Sequence, residues 1–119
     1  MSDLRRGDVV LVALDPTVGS EQAGTRPAVV VQNDTGNRFS PTTIVAPVTT
    51  RYEPGKFPFQ VELLAAEEPV DRDTAVQCDQ IRTVSVEDRV LERFGRLSPE
   101  AMDRVDDAIR ISLGLDGGY

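Results

Sequence analysis

At 119 residues the chain is the size of one domain, and 39% apolar content is lean but enough for a small core of Val, Leu, Ile and Ala, with 5% aromatics and no tryptophan. Histidine is absent and Cys78 is the single cysteine, which excludes histidine-type zinc sites, Ser-His and Cys-His triads and an intrachain disulfide. The net charge of -7 is uneven, with six basic and six acidic residues in 1–60 against seven and 14 in 61–119. That pattern excludes a general nucleic-acid coat but leaves local phosphate recognition open in the first half.

Arg6-Gly7-Asp8 leads into an apolar strand, Val9 to Leu14, which Asp15-Pro16-Thr17 ends. The stretch Gly19-Ser20-Glu21-Gln22-Ala23-Gly24-Thr25-Arg26-Pro27 has no core-forming pattern. It predicts an exposed loop held by strands at both ends, a common setting for binding and catalytic groups. A second strand is expected over Ala28 to Gln32. Asn33 to Pro41 reads as a connection with Gly36-Asn37 as its turn signal and room for one short helical turn. Thr42 to Thr49 predicts a third strand, kinked or at an edge near Pro47. Arg51 to Pro58 is a loop punctuated by Pro54-Gly55, and Phe59 to Leu63 alternates as a half-buried strand.

Glu67 to Asp73 reads as a charged turn with both glutamates solvated. A strand over Thr74 to Cys78, with Cys78 as buried filler, continues after a bend at Asp79-Gln80 into Ile81 to Val84. Ser85 to Asp88 fits a capped turn and Val90 to Phe94 a last strand before Gly95. The clearest helix comes at the end, with Ser98 as N-cap, Pro99 at the first position and Glu100 in the first turn. Met102, Val105, Ile109 and Leu113 form its apolar stripe, and Gly114 its stop. Asp103, Asp106 and Asp107 lie off that stripe as a solvated face rather than a metal site. Some six short strands and one helix imply a mainly β fold, a small curved barrel or paired sheets. No signal-peptide h-region stands behind Met1-Ser2-Asp3-Leu4-Arg5-Arg6 and no apolar run approaches membrane length, so a soluble, cytoplasmic protein is expected.

The glycines lack the spacing of a phosphate-binding loop, and no acidic pair has metal-site spacing. A phosphate-centred site without metal or histidine remains. Arg26 can hold two phosphoryl oxygens, and Thr49 at the end of the third strand can donate a neutral hydrogen bond to them. Glu21 can act as a carboxylate base or orient Arg26. RNA carries its own nucleophile, the adjacent 2′-hydroxyl, so cleavage asks only for alignment, proton transfer and an anion clamp. Plainer roles fit the same residues. Arg26 can anchor a turn by pairing with Glu21, Thr49 can be an ordinary strand-end hydroxyl, Arg51 and Lys56 solvated loop charges, and Asp79-Gln80 a turn.

Four blocks, in order, resemble the MazF/PemK family of toxin-antitoxin endoribonucleases, the mRNA interferases. They are Arg6-Gly7-Asp8-Val9 with Leu14-Asp15-Pro16; Gly19-Ser20-Glu21-Gln22 through Arg26-Pro27 to Val30-Val31-Gln32-Asn33-Asp34; Ser40-Pro41-Thr42-Thr43-Ile44-Val45-Ala46-Pro47-Val48-Thr49; and Cys78-Asp79-Gln80-Ile81-Arg82-Thr83. The resemblance implies one MazF-like domain over residues 1–119, an SH3-like β-barrel with a C-terminal helix, and a homodimer. It implies metal- and cofactor-independent, sequence-specific cleavage of single-stranded mRNA to 2′,3′-cyclic phosphate and 5′-hydroxyl ends. It makes Arg26 and Thr49 the catalytic pair, with Glu21 as a third functional residue. It assigns RNA contacts to Ser20, Gln22, Asn33, Arg51, Lys56, Asp79 and Gln80, with bases splayed into a groove near the dimer interface. It also implies neutralisation by a MazE-type antitoxin. Two readings stand beside it: a gyrase-inhibiting, CcdB-like toxin on the same barrel, and a binding-only descendant.

Overall fold

The computed structural model describes residues 3–115. Its strands are β1 (Asp8–Ala13), β2 (Thr25–Val30), β3 (Thr42–Thr49), β4 (Gln60–Leu63), β5 (Thr74–Gln77), β6 (Arg82–Ser85) and β7 (Val90–Arg96). The helices are α1 (Asp34–Phe39), α2 (Val86–Arg89) and α3 (Pro99–Ser112). The strands form one antiparallel sheet in the order β4-β5-β3-β2-β1-β7, with β6 on β3. A mainly β fold with a C-terminal helix is therefore what forms.

β3 is the hub. Its first residues pair with β6, its middle with β2, and Val48 and Thr49 with Val76 and Ala75 of β5. Pro47, the expected kink, sits where β3 leaves one neighbour for the other. This handover folds the sheet into two layers with a core on each side of β1 and β2. Side chains alternate across a strand, so one face carries Val9, Val29, Ala46 and Val48, packed with Leu63, Val76, Cys78 and the α3 residues Ala101, Val105 and Ala108. The other carries Val10, Val12, Leu14, Ala28, Val30, Val45 and Val84. Burial on both faces is why β1 reads as a continuous apolar run rather than an alternating one.

α3 begins as expected. Ser98 Oγ accepts the Ala101 N–H at 3.2 Å, Pro99 opens the helix, and Glu100 and Arg110 suit its two ends. Met102, Val105 and Ile109 pack on the core, but Leu113 is 54% exposed. Ala101 and Ala108 are buried instead, small residues that let the helix approach the sheet closely. Asp106 is not merely solvated, since its Oδ1 accepts from Arg6 Nη2 at 2.7 Å. Glu68 also departs from the expected solvated turn. It is buried, and its carboxylate accepts the Ser98 N–H at 2.8 Å and the Ser98 Oγ–H at 2.6 Å, tying the 67–73 turn to the start of α3.

Three further differences have local causes. The 33–41 connection holds a six-residue helix, because Asn33 Oδ1 caps the Gly36 N–H at 2.8 Å and buried Asn37 bonds Thr43 Oγ1 and the Gln32 carbonyl. The segment after the Asp79-Gln80 bend does not extend β5; it forms β6 on the far part of β3. β2 starts at Thr25, so Arg26 lies on a strand and not in the loop.

Candidate active site

The β1–β2 connection is closed by Leu14 N–H donating to the Gly24 carbonyl at 3.0 Å. Arg26 then sits on β2 opposite Val12, close to the mouth of that loop. Its Nε–H donates to the Ala23 carbonyl at 2.8 Å and Nη1 to the Val48 carbonyl at 3.2 Å. These two bonds fix the guanidinium plane and leave Nη2 without a partner among the described residues. Burial, then the charge of Arg51, push the Arg26 guanidinium below the ordinary arginine value, with Asp15 pulling the other way. It remains a cation near neutral pH.

Thr49 arrives from the neighbouring strand. β2 and β3 pair Val30 with Val45, Val29 with Ala46 and Ala28 with Pro47, where their pairing ends, and Thr49, two residues further along β3, pairs with Ala75 of β5. The Arg26–Val48 bond spans this stretch, where β3 has turned to β5. Thr49 is 6% exposed, and its Oγ1 accepts the Arg51 N–H at 3.0 Å. The hydroxyl proton is left to donate elsewhere. A fixed cation and a hydroxyl donor on adjacent strand ends suit an anion with several oxygens, a phosphate above all.

The loop that carries Ser20, Glu21 and Gln22 is sewn to the β5–β6 turn. Gln22 N–H donates to Gln80 Oε1 at 2.9 Å, Gln22 Nε2 donates to Gln77 Oε1, and Gln80 Nε2 reaches the Ser20 carbonyl at 3.3 Å. Asp79 is exposed on the same turn. Glu21 is exposed and accepts the Val18 N–H at 2.6 Å; among the described residues it forms no ion pair with Arg26, so the turn-anchor role expected of such a pair is not formed.

Ser20, Glu21, Gln22, Arg26, Thr49, Arg51, Asp79 and Gln80 thus belong to one neighbourhood of loop, strand ends and turn. Asn33 does not join it. It lies past the other end of β2, roughly 20 Å along an extended strand from Arg26, and serves as the α1 cap. Lys56 stays in its own loop, 3.4 Å from Glu53 and 5.4 Å from the centre of the Phe57 ring. That loop is moored to β4 by Tyr52 Oη donating to Glu62 Oε2 at 2.7 Å; burial first, then Glu62, push the phenol up to about 12. Sequence reasoning missed Gln77, whose only signal was a polar residue in an otherwise apolar strand end. Cys78 is buried, which pushes its thiol up to about 12, so it is inert filler as expected. Among the described residues no three acidic or cysteine side chains are grouped to hold a metal ion.

The model of the PemK-like, MazF-like toxin of type II toxin-antitoxin systems matches residues 5–113. The chain belongs to this family. It is 46% identical over 112 residues to Endoribonuclease EndoA of Bacillus subtilis (strain 168), covering 94% of this chain and 96% of that protein. Its fold is similar to the crystal structure of MazF (Form-I) from Deinococcus radiodurans, with a TM-score of 0.82, 25% identity and coverage of 96% and 99% of the two chains. It is also similar to a mycobacterial endoribonuclease solved in complex with its cognate antitoxin, with a TM-score of 0.79, 23% identity and coverage of 94% and 96%. The four MazF/PemK blocks are therefore borne out across nearly the whole chain.

Proposed function

We propose that this protein is the endoribonuclease toxin of a type II toxin-antitoxin pair, cutting single-stranded mRNA at a defined sequence. The observation that carries the reading is Arg26, held by two carbonyls beside the strand end that presents Thr49, in a chain 46% identical to a named endoribonuclease. In the proposed reaction the 2′-oxygen attacks the adjacent phosphorus and the bond from phosphorus to the 5′-oxygen breaks. The products are a 2′,3′-cyclic phosphate and a 5′-hydroxyl. Arg26 clamps the phosphate and gives a proton to the leaving 5′-oxygen; the lowering of its guanidinium makes it a better acid than a free arginine and still a poor base. Thr49 donates its hydroxyl proton to a non-bridging oxygen. Glu21, with one oxygen on the Val18 N–H and the other open, takes the 2′-proton. Ser20, Gln22, Arg51, Asp79 and Gln80 are the nearest candidates for RNA contact, while Asn33 and Lys56 would need the strand to extend well beyond Arg26.

The wider reading is a single domain over residues 1–119 with an SH3-like barrel, a cytoplasmic homodimer, a MazE-type antitoxin as partner, and no metal or cofactor. The antitoxin part is supported by the complex known for a similar fold. Incubation with a long, weakly structured RNA in EDTA, followed by mapping of fragment ends, tests it. Cuts at one short sequence with 5′-hydroxyl ends are expected. A folded, antitoxin-free protein that cuts no RNA would favour the gyrase-inhibiting or binding-only alternatives.

A further inference from the structure

The two carbonyls that hold Arg26 come from different parts of the chain, and β5 stands behind both. Val48, whose carbonyl accepts from Nη1, is paired with Val76 of β5. Ala23, whose carbonyl accepts from Nε, belongs to the β1–β2 loop, and that loop has little of its own to fix it. Val18 near its tip is 80% exposed, and the N–H and carboxylate of Glu21 both bond Val18. Among the described residues, the hydrogen bonds from residues 16–22 to groups outside the loop all run to Gln77 and Gln80. Gln77 is the firmer of these two supports. It is the last residue of β5, opposite Gln60 of β4, whereas Gln80 sits on a turn closed by its own N–H on the Gln77 carbonyl at 3.1 Å. Gln77 Oε1 accepts from Gln22 Nε2, one residue before Ala23. Gln77 is only half-buried, so water can satisfy its amide and burial alone does not require this bond.

Resting on the endoribonuclease reading, we propose that Gln77 is a positioning residue for the reaction: through Gln22 it sets the Ala23 carbonyl, and so the plane of the Arg26 guanidinium. Gln77 itself touches no reacting atom. Without its acceptor the Gln80 bonds keep the loop near the turn, but the Ala23 carbonyl can shift, and Arg26 keeps only Val48 as a fixed reference. A clamp that must meet transition-state oxygens loses rate steeply when it is misplaced. Ground-state binding of the RNA rests on several other contacts and loses little. The effect of Gln77 therefore belongs in kcat and not in KM.

The test compares wild type, Gln77→Met and Gln77→Glu in cleavage of a fluorescein-labelled single-stranded RNA that carries the cut site, with thermal unfolding and amide hydrogen exchange at Gln22 measured on the same proteins. Methionine keeps the length of the side chain and removes the acceptor. Glutamate keeps an acceptor oxygen, and any cost of its added charge falls on KM. Gln77→Met should unfold near the wild-type temperature, lower kcat about tenfold with KM within about twofold, and speed exchange at the Gln22 N–H. Gln77→Glu should restore both kcat and protection. Wild-type kcat in Gln77→Met overturns the proposal. So does equal impairment in the two variants, or a lower kcat with Gln22 exchange unchanged, which would make the effect one of packing. Wild type that cuts no RNA rejects the ribonuclease reading itself. The exchange comparison then still decides the anchor, which stands if Gln77→Met alone loosens Gln22 and falls if neither variant does.

Discussion

Arg26 is placed by its neighbours' carbonyls and not by a carboxylate, which makes its charge available to a ligand. Arg26→Ala should leave the fold intact and lower single-turnover cleavage by about 10²–10³, the usual cost of removing one charge-stabilising donor. Arg26→Lys keeps the charge but not the fork that reaches both Ala23 and Val48, so it should be nearly as impaired. Thr49→Val should cost less, about 10–10², while Glu21→Gln with unchanged cleavage at every pH would remove Glu21 as the base. Asp8 shows the opposite kind of residue, charged but structural. It is fully buried; burial, the largest single influence, raises its carboxyl, but hydrogen bonds from Arg93, the Arg5 N–H and Arg96 outweigh it and hold the carboxyl below the ordinary value. A depressed folded-state value means that this stabilisation is present above the unfolded carboxylate range, near 4, and is lost as pH falls through the folded value. Asp8→Asn should thus cost on the order of 2 kcal/mol at neutral pH, and the gap from wild type in denaturant unfolding should shrink as the pH falls below about 4. A gap independent of pH would contradict this role.

At the scale of elements, Ser98 joins two of them. Its hydroxyl caps α3 and donates to Glu68, so Ser98→Ala should destabilise by about 1–2 kcal/mol in chemical denaturation. A loss of a few tenths would mean that the turn is held by other contacts. The α3 start was legible because capping chemistry is local. β1, β3 and β4 were legible because apolar runs and alternation are local too. What could not be read is set by partners distant in the chain. Leu113 fits the helical stripe, yet it stands at the C-cap of α3 and is left exposed. Glu68 reads as a solvated charge until Ser98, 30 residues on, arrives beside it. Ile81 to Val84 reads as the rest of β5 because nothing local says that β3 offers it a second edge. In the site, Arg26 and Thr49 were named from residue type and family likeness, but the bond that ties Arg26 to the Val48 carbonyl, next to Thr49, depends on β2 lying beside β3. Asn33 carries the same kind of side chain as an RNA-contacting residue and is used as a helix cap instead.

For the whole molecule, the surplus of acidic charge lies in the second half of the chain, while the proposed phosphate clamp lies in the first. Few cations are then available to neutralise the RNA backbone, so binding should rest on local contacts. With about two phosphates neutralised, raising salt from 50 to 200 mM should lower kcat/KM by less than about tenfold. A fall of several hundredfold would point to a broad basic surface that the sequence does not suggest. The measurement that tests the central claim most directly is digestion of a long, unstructured RNA in EDTA by wild type and Arg26→Ala, with unfolding curves to check both folds and sequencing of the fragment ends. Discrete cuts at one short sequence, ending in 5′-hydroxyls and lost in the folded variant, are expected. Equal cutting by the two proteins, or cutting that appears only when a divalent metal is restored, would contradict an arginine-centred, metal-free ribonuclease.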